Sequence, residues 1–137
     1  MNFVMKIFLY FMLVCAAPAQ AQLAVIVSPP KIAEQKAVVE LKMKNNFALN
    51  VESARAICFL LDDQGKMVGE STKWVIGGTK KRPALESKKE TSFNFVITGS
   101  QPFVTTNLTA KVSFSRVILE GEKLADPKTD VLIQNTQ

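Results

Sequence analysis

The chain has 137 residues, 47% of them hydrophobic and 21% charged, with a net charge of +5, two cysteines and no histidine. That length suits one domain rather than two. The missing histidine excludes Ser-His-Asp and Cys-His activation of a nucleophile and any imidazole metal ligand. Catalysis would have to rest on carboxylates or lysines alone.

The first segment reads as a leader. Lys6 gives a positive flank, Ile7 to Ala17 is an unbroken apolar run of 11 residues, and Pro18 ends it. Ala19 and Ala21 stand where a signal peptidase reads small residues, which predicts a signal peptide over 1–21 and cleavage after Ala21. As a helix the run is about 16 Å long, too short for a hydrocarbon core of about 30 Å. The expectation is a secreted or periplasmic protein with no transmembrane anchor after processing. Residues 22–137 then form a single domain, with the charge lowered from +5 to +4 by the loss of Lys6. Cys15 leaves with the leader, so Cys58 stands alone and makes neither an internal disulfide nor a thiolate metal site.

From there the hydrophobic period is two rather than 3.6. Leu23 to Val27 reads as an edge strand, because Pro29 and Pro30 cannot continue a ladder. Val39, Leu41 and Met43 alternate with Glu40, Lys42 and Lys44 in a half-buried strand, and Asn45 with Asn46 reads as the turn that ends it. Between Glu52 and Leu61, Ala54, Ala56, Cys58 and Leu60 share one face, and Arg55, Ile57, Phe59 and Leu61 share the other. Two largely apolar faces predict a central strand covered on both sides, either by the segment Val117 to Ile133 or by a partner. Asp62, Asp63, Gln64 and Gly65 mark a hairpin turn, with Lys66 to Gly69 returning as a short strand.

Trp74, Val75 and Ile76 form the next apolar piece, ahead of a polar loop from Gly77 to Pro83. Trp74 is expected in the core, opposite Ala54 and Ala56, since a small face needs a large partner. Phe93, Phe95 and Ile97 alternate with polar neighbours. Ala110, Val112 and Phe114 do the same between Leu108 and Leu119, and Val131 to Ile133 reads as a last strand. Seven or eight short strands with regular turn signals predict an all-β, antiparallel β-sandwich. Its predicted core is Ala54, Ala56, Cys58, Leu60, Trp74, Phe93, Phe95, Val112 and Phe114.

Cys58-Phe59-Leu60-Leu61-Asp62, followed by Gln64-Gly65-Lys66-Met67-Val68, resembles the strand-and-turn signature of bacterial FxLYD-type domains. The family's Asn-rich turn is matched by Asn45 and Asn46, and its later segment is similar to Leu85, Lys89, Glu90, Thr91 and Phe93. Cys58 replaces the family's Phe and Leu61 its Tyr, while Ser87, Lys88 and Lys89 replace its Pro-Gly turn. The resemblance spans residues 37–117. It implies an immunoglobulin- or fibronectin-III-like sandwich in an exported bacterial protein, with no shared catalytic site and therefore a binding or structural role.

Two surfaces are candidates for contact. Lys80, Lys81, Arg82, Lys88 and Lys89 make the densest basic region, suited to a polyanion such as an acidic glycan, nucleic acid or anionic lipid. No aromatics interleave with these lysines, so nucleic acid is not expected. A solvated loop whose charge blocks strand pairing accounts for them more simply. Arg55, Ile57, Phe59 and Leu61 are the second candidate, for a protein or cell-envelope partner.

The remaining signals have plain explanations. Asp62 and Asp63 are turn neighbours whose side chains point apart, unlike the carboxylates of a hydrolase cleft. Asp126, Asp130, Glu120 and Glu122 match no calcium-loop spacing. Cys58 has no flanking cation to stabilise a thiolate. Asn107-Leu108-Thr109 is a glycosylation sequon of a kind that arises often by chance. The sequence therefore predicts a non-enzymatic binding or structural module without cofactor or metal.

Overall fold

The alternating segments fold as nine strands among the residues that the computed structural model describes, 22–136. The leader reading lies outside the described residues. In chain order the strands are β1 (Leu23–Val27), β2 (Lys31–Ala33), β3 (Lys36–Asn45), β4 (Val51–Leu61), β5 (Met67–Ile76), β6 (Glu90–Thr98), β7 (Thr109–Leu119), β8 (Lys123–Ala125) and β9 (Val131–Asn135). No helix forms among the described residues.

One sheet is built on β3. Strand β6 pairs along one edge from Lys36↔Thr98 to Lys44↔Glu90, so β1 and β2 share the other. The second sheet has the order β5-β4-β7-β8 and is antiparallel throughout. The two inner faces meet in one core. Val39, Leu41 and Met43 of β3, Val25 and Val27 of β1, and Phe95 of β6 face Ala56, Cys58 and Leu60 of β4, all of them buried. Each large side chain withdrawn in this way contributes about 1.5–3 kcal/mol. Burial also pushes the Cys58 thiol up from 9.0 to about 12, because the thiolate would lose its hydration.

Four details differ from the sequence reading. There are nine strands rather than seven or eight, because two three-residue strands, β2 and β8, carry too little pattern to be seen. β1 is not an edge strand: β9 adds beyond it in parallel register, Leu23↔Val131 to Val27↔Asn135, so the sandwich is not wholly antiparallel. The segment Val117 to Ile133 does not cover β4. Instead β8 extends the β4 sheet beside β7 while β9 crosses to the β3 sheet, and the Asn135 side-chain amide ties back to the Ala110 carbonyl at 2.8 Å. Met67 to Ile76 is one strand and not two, its polar middle being the solvent side of a sheet edge.

Asn45 is the most instructive departure. It ends β3 and starts the turn as read, its side chain bonding two residues on, but it is also fully buried within the core. Its side-chain amide donates to the Leu49 and Leu85 carbonyls, both at 3.0 Å, and its Oδ1 accepts the Phe47 N–H at 2.8 Å. All of its bonding capacity except one lone pair is used, as a buried amide requires. It pins the β3–β4 loop to the long β5–β6 loop. The predicted hairpin at Gly65 forms as read: Asp62 Oδ1 accepts the Gln64 and Lys66 N–H groups, and Gly65 adopts φ +78°.

Candidate functional site

The outer face of the β5-β4-β7 sheet is where the unusual residues converge. Along β4, Ile57, Phe59 and Leu61 point outward and are half-buried, while Arg55 is exposed. Their cross-strand neighbours are Thr72 and Ser113 beside Ile57, Glu70 and Lys111 beside Phe59, and Met67 and Thr109 beside Leu61, so the apolar stripe widens at its Leu61 end, where Met67 is exposed. Arg55 is directly opposite Arg116 of β7 on one side and Trp74 of β5 on the other. Its guanidinium carbon lies 5.8 Å from the Trp74 ring centroid, within cation–π range. Two like charges directly opposite across a ladder repel. The face thus carries an apolar stripe ending in a cationic, aromatic corner.

Trp74 is the main correction among the predicted core residues. A bulge sets Ala54 opposite Ile76 and Arg55 opposite Trp74, leaving Val75 as the extra residue. Val75 and Ile76 are therefore both buried, and Ile76 rather than Trp74 fills the space against Ala54. Trp74 turns to the outer face and is half-buried. Its ring covers Gly78, where a Cβ would come within 2.4 Å of the indole. Gly77 is tighter still: φ is +53° and a Cβ would lie 1.8 Å from the Glu52 carbonyl oxygen. The Gly-Gly pair after Ile76 is the trace that this packing leaves in the sequence. The other correction is Phe93, which faces inward but is only half-buried at the sheet margin. Ala54, Ala56, Cys58, Leu60, Phe95, Val112 and Phe114 are buried.

The basic loop divides. Lys81, Arg82 and Lys89 line one cleft, together with Glu86 and Glu90. Lys88 lies apart with φ +67°, its Nζ donating to the Asn46 carbonyl at 3.0 Å, and Lys80 is exposed outside the cleft. The acidic residues serve turns. Asp126 Oδ1 accepts the Lys128 N–H, Asp130 Oδ2 accepts the Asp126 N–H, and Glu120 Oε1 accepts the Asn50 N–H. Among the described residues no group of three or more Cys, Asp or Glu is placed to hold a metal ion.

No protein-family model matches the chain, and no curated protein matches it significantly. Among solved structures it is similar to the ApaA protein of Bordetella pertussis, with 13% identity, a TM-score of 0.53, and coverage of 76% of this chain and 86% of that one. It is also similar to part of a glycosyl hydrolase family 2 member from Bacteroides cellulosilyticus, with 16% identity, a TM-score of 0.42, and coverage of 74% of this chain but 14% of that one. A family 2 beta-glucuronidase gives 17% identity, a TM-score of 0.36, and coverage of 73% and 13%. At 13% identity the likeness to the Bordetella protein concerns fold alone. The chain is an immunoglobulin-like β-sandwich.

Proposed function

We propose that this protein is a non-enzymatic, exported binding module that docks a protein or cell-envelope partner on the outer face of its β5-β4-β7 sheet. The observation that carries this reading is the stripe of Ile57, Phe59 and Leu61, half-buried on an outer sheet face over which no further strand packs among the described residues, and ending at Arg55, Arg116 and Trp74. Apolar side chains beside arginine and tryptophan are the composition of binding hot spots. The Arg55–Arg116 pairing favours a partner that presents a carboxylate next to apolar side chains, because an acid between the two guanidinium groups turns a repulsion into two attractions. Export rests on the leader pattern of residues 1–21, and the likeness to FxLYD-type domains agrees with a module that carries no catalytic site. A polyanion bound along residues 80–89 is less well supported, since Glu86 and Glu90 stand among the basic residues and Lys88 is engaged with Asn46.

The test is capture from a cell-envelope extract with matched surface variants. Phe59→Glu should abolish capture of a partner that the unaltered protein retains. Val96→Glu, on the outer face of the opposite sheet where Val96 is 52% exposed, should leave capture intact. Equal capture by Phe59→Glu would refute the assignment.

A further inference from the structure

The loop joining β5 to β6 closes over a cleft of about 310 Å³, at the small end of the range for small-molecule sites. The loop is held in place. The Gly77 N–H donates to the Pro83 carbonyl at 3.1 Å, the Arg82 N–H to the Thr79 carbonyl at 3.3 Å, and Leu85 exchanges both backbone bonds with Val51 at 2.8 and 2.9 Å. Arg82 is thus presented by a preformed frame. Its guanidinium carbon lies 4.6 Å from the Phe93 ring centroid, and its Nε is buried with no hydrogen-bond partner. A buried N–H of a charged group left without an acceptor is an unfavourable arrangement that proteins rarely keep. An anion lying in the plane of the guanidinium would supply the acceptor that Nε lacks and leave the Phe93 contact in place.

The surroundings select the anion. Lys81, Arg82 and Lys89 bring three positive charges, and Glu86 and Glu90 bring two negative ones. One positive charge remains, which matches a monoanion, whereas a dianionic phosphate would sit in a net negative site. Val75, Ile76 and Leu85 form an apolar floor. We infer that this cleft binds a small monocarboxylate with an apolar tail, its carboxylate gripped by Arg82 and its tail on that floor. A planar guanidinium stacked on an aromatic ring keeps its N–H edge free for a carboxylate in the same plane. The site is separate from the outer-face docking surface and does not depend on it.

The test is an NMR titration of the purified protein with acetate, hexanoate and inorganic phosphate at constant ionic strength, following the Arg82 Nε–H and the amide of Ser92, which lines the cleft. Hexanoate should give saturating shifts, with Arg82 Nε–H moving downfield, and should bind at least about threefold tighter than acetate because its methylenes leave water. Phosphate should bind more weakly than either. Arg82→Lys should weaken hexanoate binding by about tenfold or more, since an ammonium cannot make the paired contact, while Lys80→Ala should leave it unchanged. The Nε–H signal of the unaltered protein reads the contact even where a variant folds poorly. Non-saturating shifts, a stationary Arg82 Nε–H, or phosphate binding tighter than hexanoate would overturn the inference.

Discussion

Replacing Asn45 by alanine tests the way the two long loops are joined. The substitution deletes three hydrogen bonds at once, and their costs differ. The buried Phe47 N–H loses its acceptor outright, a penalty of about 1–3 kcal/mol. The Leu85 carbonyl keeps the Val51 N–H at 2.9 Å and so loses only one of two partners, about 0.5–1 kcal/mol. The Leu49 carbonyl is part-buried and recovers some bonding from water, for a further cost of about 1 kcal/mol. The total is about 2.5–5 kcal/mol, a large share of the roughly 5–15 kcal/mol available to a domain. Urea unfolding followed by circular dichroism should show the midpoint falling with an unchanged slope, because the surface exposed on unfolding is the same. Asn45→Asp should be at least as damaging at neutral pH. It keeps the acceptor for Phe47 but points a carboxylate oxygen at two carbonyls, and acidification should restore part of the loss by returning one donor. A cost below about 1 kcal/mol for Asn45→Ala would refute the claim that this side chain ties the loops together.

Trp74 lies outside the core, so Trp74→Ala should cost about 1–2 kcal/mol rather than the roughly 3–5 kcal/mol of a buried aromatic, and acrylamide should quench Trp74 in the folded protein. Gly78→Ala should destabilise the unaltered protein more than the Trp74→Ala background, because the Cβ meets the indole; a double-mutant cycle measures this coupling. Cys58 should resist thiol reagents until the protein unfolds. Its folded pKa lies above its unfolded value, so its contribution to stability is complete below about pH 9 and is lost as pH rises through about 12. A pH series of unfolding curves should show this added decline in the unaltered protein and not in Cys58→Ala. Amino-terminal sequencing of exported protein should begin at Gln22, and a chain still carrying Ile7 to Val14 would contradict the leader reading.

The legible part of the fold was the part governed by alternation. Val39, Leu41 and Met43, or Ala54 through Leu60, announce their buried face because side chains alternate strictly across a strand. The hidden part arises where that alternation breaks. The bulge at Val75 reverses the face of Trp74, and no local pattern marks it beyond the glycines that follow. Asn45 makes the local turn bonds to Phe47 and Leu49 that its composition announces, but its burial follows from a third partner 40 residues away, Leu85, which no local pattern shows. β8 and β9 are one chain segment divided between two sheets, a choice made by tertiary pairing and not by propensity. The outer stripe on β4 was visible as a second apolar face. Its cationic corner was not, since Arg55, Arg116 and Trp74 come from three strands.

The central claim is that the outer face of the β5-β4-β7 sheet is the docking surface. The most direct measurement is the affinity of the captured partner for four forms of the protein: unaltered, Phe59→Glu, Arg116→Glu and Val96→Glu. The account predicts that Phe59→Glu and Arg116→Glu each weaken binding by about tenfold or more, as loss of a hot-spot residue does, with circular dichroism showing each variant folded under the assay conditions. Val96→Glu should bind as the unaltered protein does. Full affinity in Phe59→Glu and Arg116→Glu, with loss confined to Val96→Glu, would put the partner on the opposite sheet and contradict the account.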